Sequence, residues 1–286
     1  MAHGKSTSRK MQLVTCKACG HRFRGQFCSR CGQKVITEDD KRLSRILGEL
    51  LSALSFADSK LWRTFKTMVL RPGLFSRDFI DGCRTPYMKP LSVFLLANLI
   101  YFLTPALMTT FHTDLETQIT KGFVHSPAAA AWVEGHLEQS GQSFEAYESR
   151  YNAKTKELSK LLLIVLALLF SVPLWLLHGP GSTYYAEAVV LSLEVTAFMT
   201  LFAIQGQGLL IVTLKKLGID VPVSEMTLTG TALILALYAL LQSERHFFDR
   251  RGWRAASLAF AGAVGYMASV LIYRAFLFYV TFWWLR

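Results

Sequence analysis

An all-α polytopic membrane protein of about five transmembrane helices, headed by a small N-terminal zinc ribbon, is the fold class this sequence predicts. Three observations carry it. Apolar residues make up 52% of the 286, with a mean hydropathy of +0.31, more than a soluble domain of ordinary composition holds. Beyond residue 90, long stretches run almost without charge. Near the N-terminus, Cys16, Cys19, Cys28 and Cys31 form two Cys-x-x-Cys pairs with eight residues between them. Each pair sets two thiolates at the edge length of a small tetrahedron, and two pairs supply the closed tetrathiolate set that structural zinc prefers.

The head is the first element. Residues 1–12 are polar and basic and are expected to be a disordered tail. Residues 13–34 make the ribbon, with Gly20 and Gly32 after the second cysteine of each pair, where positive φ lets the backbone curl under the sulfurs. So small a head cannot bury enough apolar surface to fold alone, and the metal supplies the missing free energy. Redox dithiols or an iron site are the alternatives for these four residues. With four protein ligands no position remains for water, so zinc-assisted hydrolysis is not expected. Cys83, standing alone, reads as a small inert residue.

Residues 38–90 form an amphipathic basic segment expected at the membrane interface. Leu43, Ile46, Leu47, Leu50, Leu51 and Leu54 recur at helical spacing, while Lys41, Arg42, Arg45 and Glu49 take the other face. A second such stretch, 61–70, stops at Arg71-Pro72-Gly73. Residues 1–90 hold 18 of the 31 basic and 7 of the 20 acidic residues, leaving 13 of each for the remainder. The net charge of +11 therefore sits before the first apolar run. Arg71, Arg77, Arg84 and Lys89 are candidate contacts for lipid headgroups, anionic lipid being the expected partner; each such residue contributes about 1 kcal/mol near an anionic surface. Nucleic acid is a weaker reading of the same charge, because these residues interleave with Leu, Phe and Trp62.

Residues 91–286 form the transmembrane domain. The first span is 91–109, about the 20 residues that a core of about 30 Å requires. A polar stretch, 111–160, is expected as an outer loop. Spans at 161–177, with Pro173 expected to kink it, and 184–204 are joined by His178-Gly-Pro-Gly-Ser182, too short for anything but a tight turn. Span four is 226–241. The basic connection 244–254 leads to a last run, 255–285, about 46 Å long as helix, whose aromatic end is expected to anchor at the far interface. Positively charged segments stay inside, which places the N-terminus in the cytoplasm and the C-terminus outside. Cysteine-accessibility labelling checks this order: a probe at Ser140 is expected to react from outside only, and cytoplasmic labelling there would overturn the topology.

Within the spans, Glu187 and Glu194 share a helix face, seven residues apart. An ionised carboxylate in hydrocarbon costs at least about 2.5 kcal/mol, which makes both a candidate intramembrane polar site. Counting from Tyr184, Glu187 lies about 5 Å and Glu194 about 15 Å along the helix, so Glu194 is the stronger candidate. No phosphate-cradling glycine loop, serine-histidine-acid set or His-Glu-x-x-His pattern is present, and no catalytic residue is assigned.

The order of features resembles a family of bacterial integral membrane proteins of unknown function. Its marks here are the Cys-x-x-Cys-Gly ribbon, then Thr64, Arg71-Pro72-Gly73, Asp81-Gly82-Cys83-Arg84, Tyr87 and Pro90 just before a span. Members carry Glu-His and further histidines in the third span, where this chain has Glu187-Ala188, Glu194 and Thr196. The resemblance implies the architecture and a bacterial inner membrane, and brings no activity with it. The expected function is non-enzymatic: the ribbon docks a cytoplasmic protein partner, or couples it to a membrane domain that organises lipid or protein. A lipid or small-molecule transporter using Glu194 is the alternative, and a membrane-bound lipid-modifying enzyme is a third.

Overall fold

The computed structural model describes residues 13–16, 19–24, 29–30, 59–83, 86–103, 111, 113–120, 126–179, 181, 183–219 and 224–286. The chain divides into two compact units, 1–58 and 59–286. In the first, strands β1 (Leu13–Thr15) and β2 (Arg22–Arg24) pair antiparallel, Val14 opposite Phe23. The expected tail 1–12, the helix over 41–54, Cys28 and Cys31 lie outside the described residues.

The second unit is all helix. Its elements are α1 (Ser59–Leu70), α2 (Leu74–Ile80), α3 (Pro90–Leu103), α4 (Leu115–Thr120), α5 (Ser126–Ser140), α6 (Phe144–Leu161), α7 (Leu163–His178) and α8 (Tyr185–Phe198). A π-helical stretch, Met199–Gly206, joins α8 to α9 (Gln207–Lys216), and α10 (Glu225–His246) and α11 (Gly252–Leu285) complete the unit. Among the described residues three helices are long and apolar enough to cross a membrane: Tyr185–Lys216, Met226–His246 and Gly252–Leu285. Helices α6 and α7 pass the same test together but are bent by 61°, so they add a fourth if they form one span. The body is thus an all-α membrane protein with three to four candidate spans where five were expected. Of the expected first span, 91–109, the described residues hold α3, 14 residues or about 21 Å of helix, and 104–109 lie outside them.

Other expectations are refined. The bend falls at Leu162, whereas α7 runs unbroken through Pro173. The proline ring is accommodated because it faces Gly265 of α11, where a Cβ would come within 2.9 Å of Pro173 Cβ. Helices α7 and α8 form the expected antiparallel hairpin, tied by Trp175 Nε1 donating to Thr183 O at 3.1 Å. The polar stretch 111–160 is more than a loop. Leu115, Ala129, Val133, Tyr147 and Tyr151 build a second core with Phe278 and Phe282 from the end of α11. The surplus length of the last apolar run therefore packs in part against its own chain, while Phe276, Trp283 and Trp284 of its aromatic end stay exposed. Two buried bonds, Thr155 Oγ1 to Thr281 Oγ1 at 2.9 Å and Tyr273 OH to Ser159 O at 2.7 Å, fix α11 to α6.

Candidate functional site

The Arg71-Pro72-Gly73 turn gathers the main polar contacts of the first helices of the body. α1 is amphipathic, with Thr64 and Met68 fully buried while Trp62 stays exposed. Proline forbids continuation, so α1 ends at Leu70 and the chain reverses into α2 through Gly73 at φ +86°, a left-handed conformation natural to glycine. Pro72 and Gly73 are buried, as are Phe75 and Ser76. The expected interfacial segment is described over 59–83 and 86–90, and within it the buried faces of α1 and α2 pack into the helical core while Trp62, Arg63, Lys66 and Arg71 stay exposed. Space at the turn is minimal: a Cβ on Gly73 would stand 2.8 Å from Ser243 Cα of α10.

Glu194, 1% exposed, comes to meet this turn from α8. Its Oε1 accepts a hydrogen bond from Gly73 N at 2.8 Å. Ser76 presents its hydroxyl and amide to the same carboxylate, although Oε2 and the Ser76 hydroxyl make no hydrogen bond of ordinary geometry. The first amides of a helix have no partner within it and carry its positive end. Glu194 therefore caps α2 from another helix, a role that explains a carboxyl group in an apolar setting. Further ties join the turn to the body: Tyr238 OH donates to Val69 O at 2.8 Å, Arg77 Nη1 to Phe247 O at 3.3 Å, and Met88 N to Thr64 Oγ1 at 3.0 Å.

Glu187 has a separate, local task. Its carboxylate accepts from Tyr184 N at 3.2 Å, capping the start of its own helix, and it is not brought to Glu194's site. Of the candidate headgroup residues, Arg71 and Lys89 are exposed, Arg77 pairs with Asp81 at 2.8 Å, and Arg84 lies outside the described residues. Tyr87, beside this segment, has its phenol pushed above the ordinary value by partial burial, with the Thr67 side chain opposing and Asp78 adding. Near by, and not anticipated from the sequence, His178 Nε2 lies 2.9 Å from Glu244 Oε1 while Nδ1 lies 2.8 Å from Leu174 O. Both ring nitrogens therefore have a partner, which fixes the orientation of the imidazole. Phe248 stacks on the imidazole at 3.5 Å. A His in the turn after one apolar run and a Glu just beyond another, 66 residues apart, gave no local signal of this pair.

A carrier site at Glu194 would need an open route to it. Two recesses are described, one lined by Leu95, Asn98, Leu99, Phe102, Lys160 and Leu161, the other by Gln242, Arg245, His246, Arg251 and Gly252, and neither reaches Glu194.

In the head, a short turn follows Cys16. Cys16 N donates to His21 O and Gly20 N to Cys16 O, both at 2.9 Å, and Gly20 takes φ +70°. Cys16 is buried against Phe23. This local fold suits two thiolate ligands; among the described residues no group of three metal-binding side chains converges, with Cys28 and Cys31 outside them.

No curated protein and no solved structure matches the chain. Residues 58–102, which hold α1, the Arg-Pro-Gly turn, α2 and most of α3, match a family described as a protein of unknown function, DUF3667.

Proposed function

We propose that the protein is a membrane-embedded docking platform of the bacterial inner membrane. Its head, closed on structural zinc by Cys16, Cys19, Cys28 and Cys31, recruits a cytoplasmic protein, and its helical body holds that complex against anionic lipid at the inner leaflet. The Gly73–Glu194 hydrogen bond carries this reading. It fastens the first helices after the head to the later helices of the body, so the buried carboxylate serves anchorage and its accepting oxygen is already occupied. Arg71 and Lys89, on the same segment, remain exposed for headgroups.

Affinity purification of the full chain and of its Cys28→Ser variant, followed by mass spectrometry of proteins and lipids, tests the proposal. The expected result is a protein that accompanies the native chain and is lost from the variant, with anionic lipid retained by both. Identical protein sets from the two would overturn the docking role.

A further inference from the structure

The connection between α10 and α11 concentrates positive charge around an opening. Arg245 and His246 close α10 and Arg251 precedes α11; with Gln242 and Gly252 they line a recess of about 370 Å³. Arg245 and Arg251 supply its fixed positive charge. The neighbouring acids are engaged elsewhere or reach the recess poorly. Glu244 holds His178 and Asp81 holds Arg77, while Asp249 approaches Arg251 only at 3.9 Å, with both side chains nearly fully exposed. Like charges gathered at one place repel unless an anion lies between them. The groups present suit a tetrahedral oxyanion: guanidinium forks match phosphate oxygens in pairs, and the Gln242 amide adds neutral donors. At Gly252 a Cβ would meet nothing within 4 Å, so the floor is open.

We propose that this recess binds the phosphate group of an anionic ligand, the chemistry shared by a phospholipid headgroup and a small soluble phosphate. In its lipid form the proposal rests on the anionic-leaflet reading above and gives it a specific seat.

Full-length protein in detergent is titrated with phosphatidylglycerol and with phosphatidylcholine under native mass spectrometry, and its melting is followed with and without inorganic phosphate. The wild type is expected to prefer phosphatidylglycerol. The R245Q/R251Q variant, altered at two exposed positions, should lose that preference by about tenfold or more, whereas K215Q/K216Q, exposed at the end of α9, should keep it. Inorganic phosphate that raises the melting temperature of the wild type but not of R245Q/R251Q, without any lipid preference, would retain the recess and assign it a soluble ligand, and the lipid reading would fail. A lipid preference unchanged in R245Q/R251Q would reject the recess and leave the general leaflet reading standing. No difference between wild type and R245Q/R251Q with either probe overturns the proposal.

Discussion

Replacing Glu194 by alanine is expected to destabilise the body by about 2–4 kcal/mol and to free the 59–80 hairpin for proteolysis. The change strands the Gly73 amide in an apolar setting, at about 1–3 kcal/mol, and leaves a void where the carboxyl stood. Glu194→Gln keeps an oxygen in place for the same amide and should cost less than about 1 kcal/mol, since only the neutral amide geometry differs. Gly73→Ala attacks the clasp from the other side. The left-handed backbone alone costs about 1 kcal/mol, and a Cβ 2.8 Å from Ser243 Cα adds the overpacking of a backbone that cannot swing aside, about 1–3 kcal/mol. Because both substitutions break one contact, the double variant should lose less than the sum of the two. Thermal unfolding in detergent with limited proteolysis decides: an alanine variant as stable as the native protein, with 59–80 still protected, would remove the capping role. A glutamine variant that is stable but functionally dead would instead revive the carrier reading.

Removal of zinc, or Cys28→Ser, is expected to have a larger effect confined to the head. Two strands of three residues and a buried contact between Cys16 and Phe23 hold far too little apolar surface for independent stability. Four-ligand zinc sites contribute about 10–16 kcal/mol to small modules of this kind, so losing one ligand should unfold 13–34. The body, a separate compact unit from residue 59, should insert and melt as before. Metal content with thiol titration is the measurement. Native protein showing four fully reactive thiols and no metal would reject the site, as would a Cys28→Ser variant that keeps its metal.

What the sequence made legible was local. Charge-free runs gave the apolar helices, proline and glycine gave the stops at Leu70 and after His178, and the spacing of Cys16 and Cys19 gave the turn with Gly20 at positive φ. Partners across long separations were not legible, because periodicity tells which face of a helix is buried without telling against what. Arg71-Pro72-Gly73 read as the edge of an interfacial helix; Pro72 and Gly73 are buried, with Gly73 against Glu194 and Ser243 of distant helices. The depth of Glu194 along its helix suggested a transport site, while its actual neighbour comes from 121 residues earlier. The expected end of the third span at 204 was another local reading. The candidate span instead continues through the π-helical stretch Met199–Gly206 to Lys216, a run that residue pattern did not signal.

The clasp also has an order in time. The ribosome makes Gly73 long before it makes the residues that hold it: Glu194 follows by 121 positions, and Tyr238, whose hydroxyl binds Val69, by 169. At about 5–20 residues per second, the turn waits on the order of ten seconds before its socket exists. Throughout that interval the contacts that hold the turn are missing, and the apolar sides of α1, with Met68, and of α2, with Phe75, are expected to rest on the lipid surface. The turn is thus made early and seated late, its final position waiting on α8 and α10.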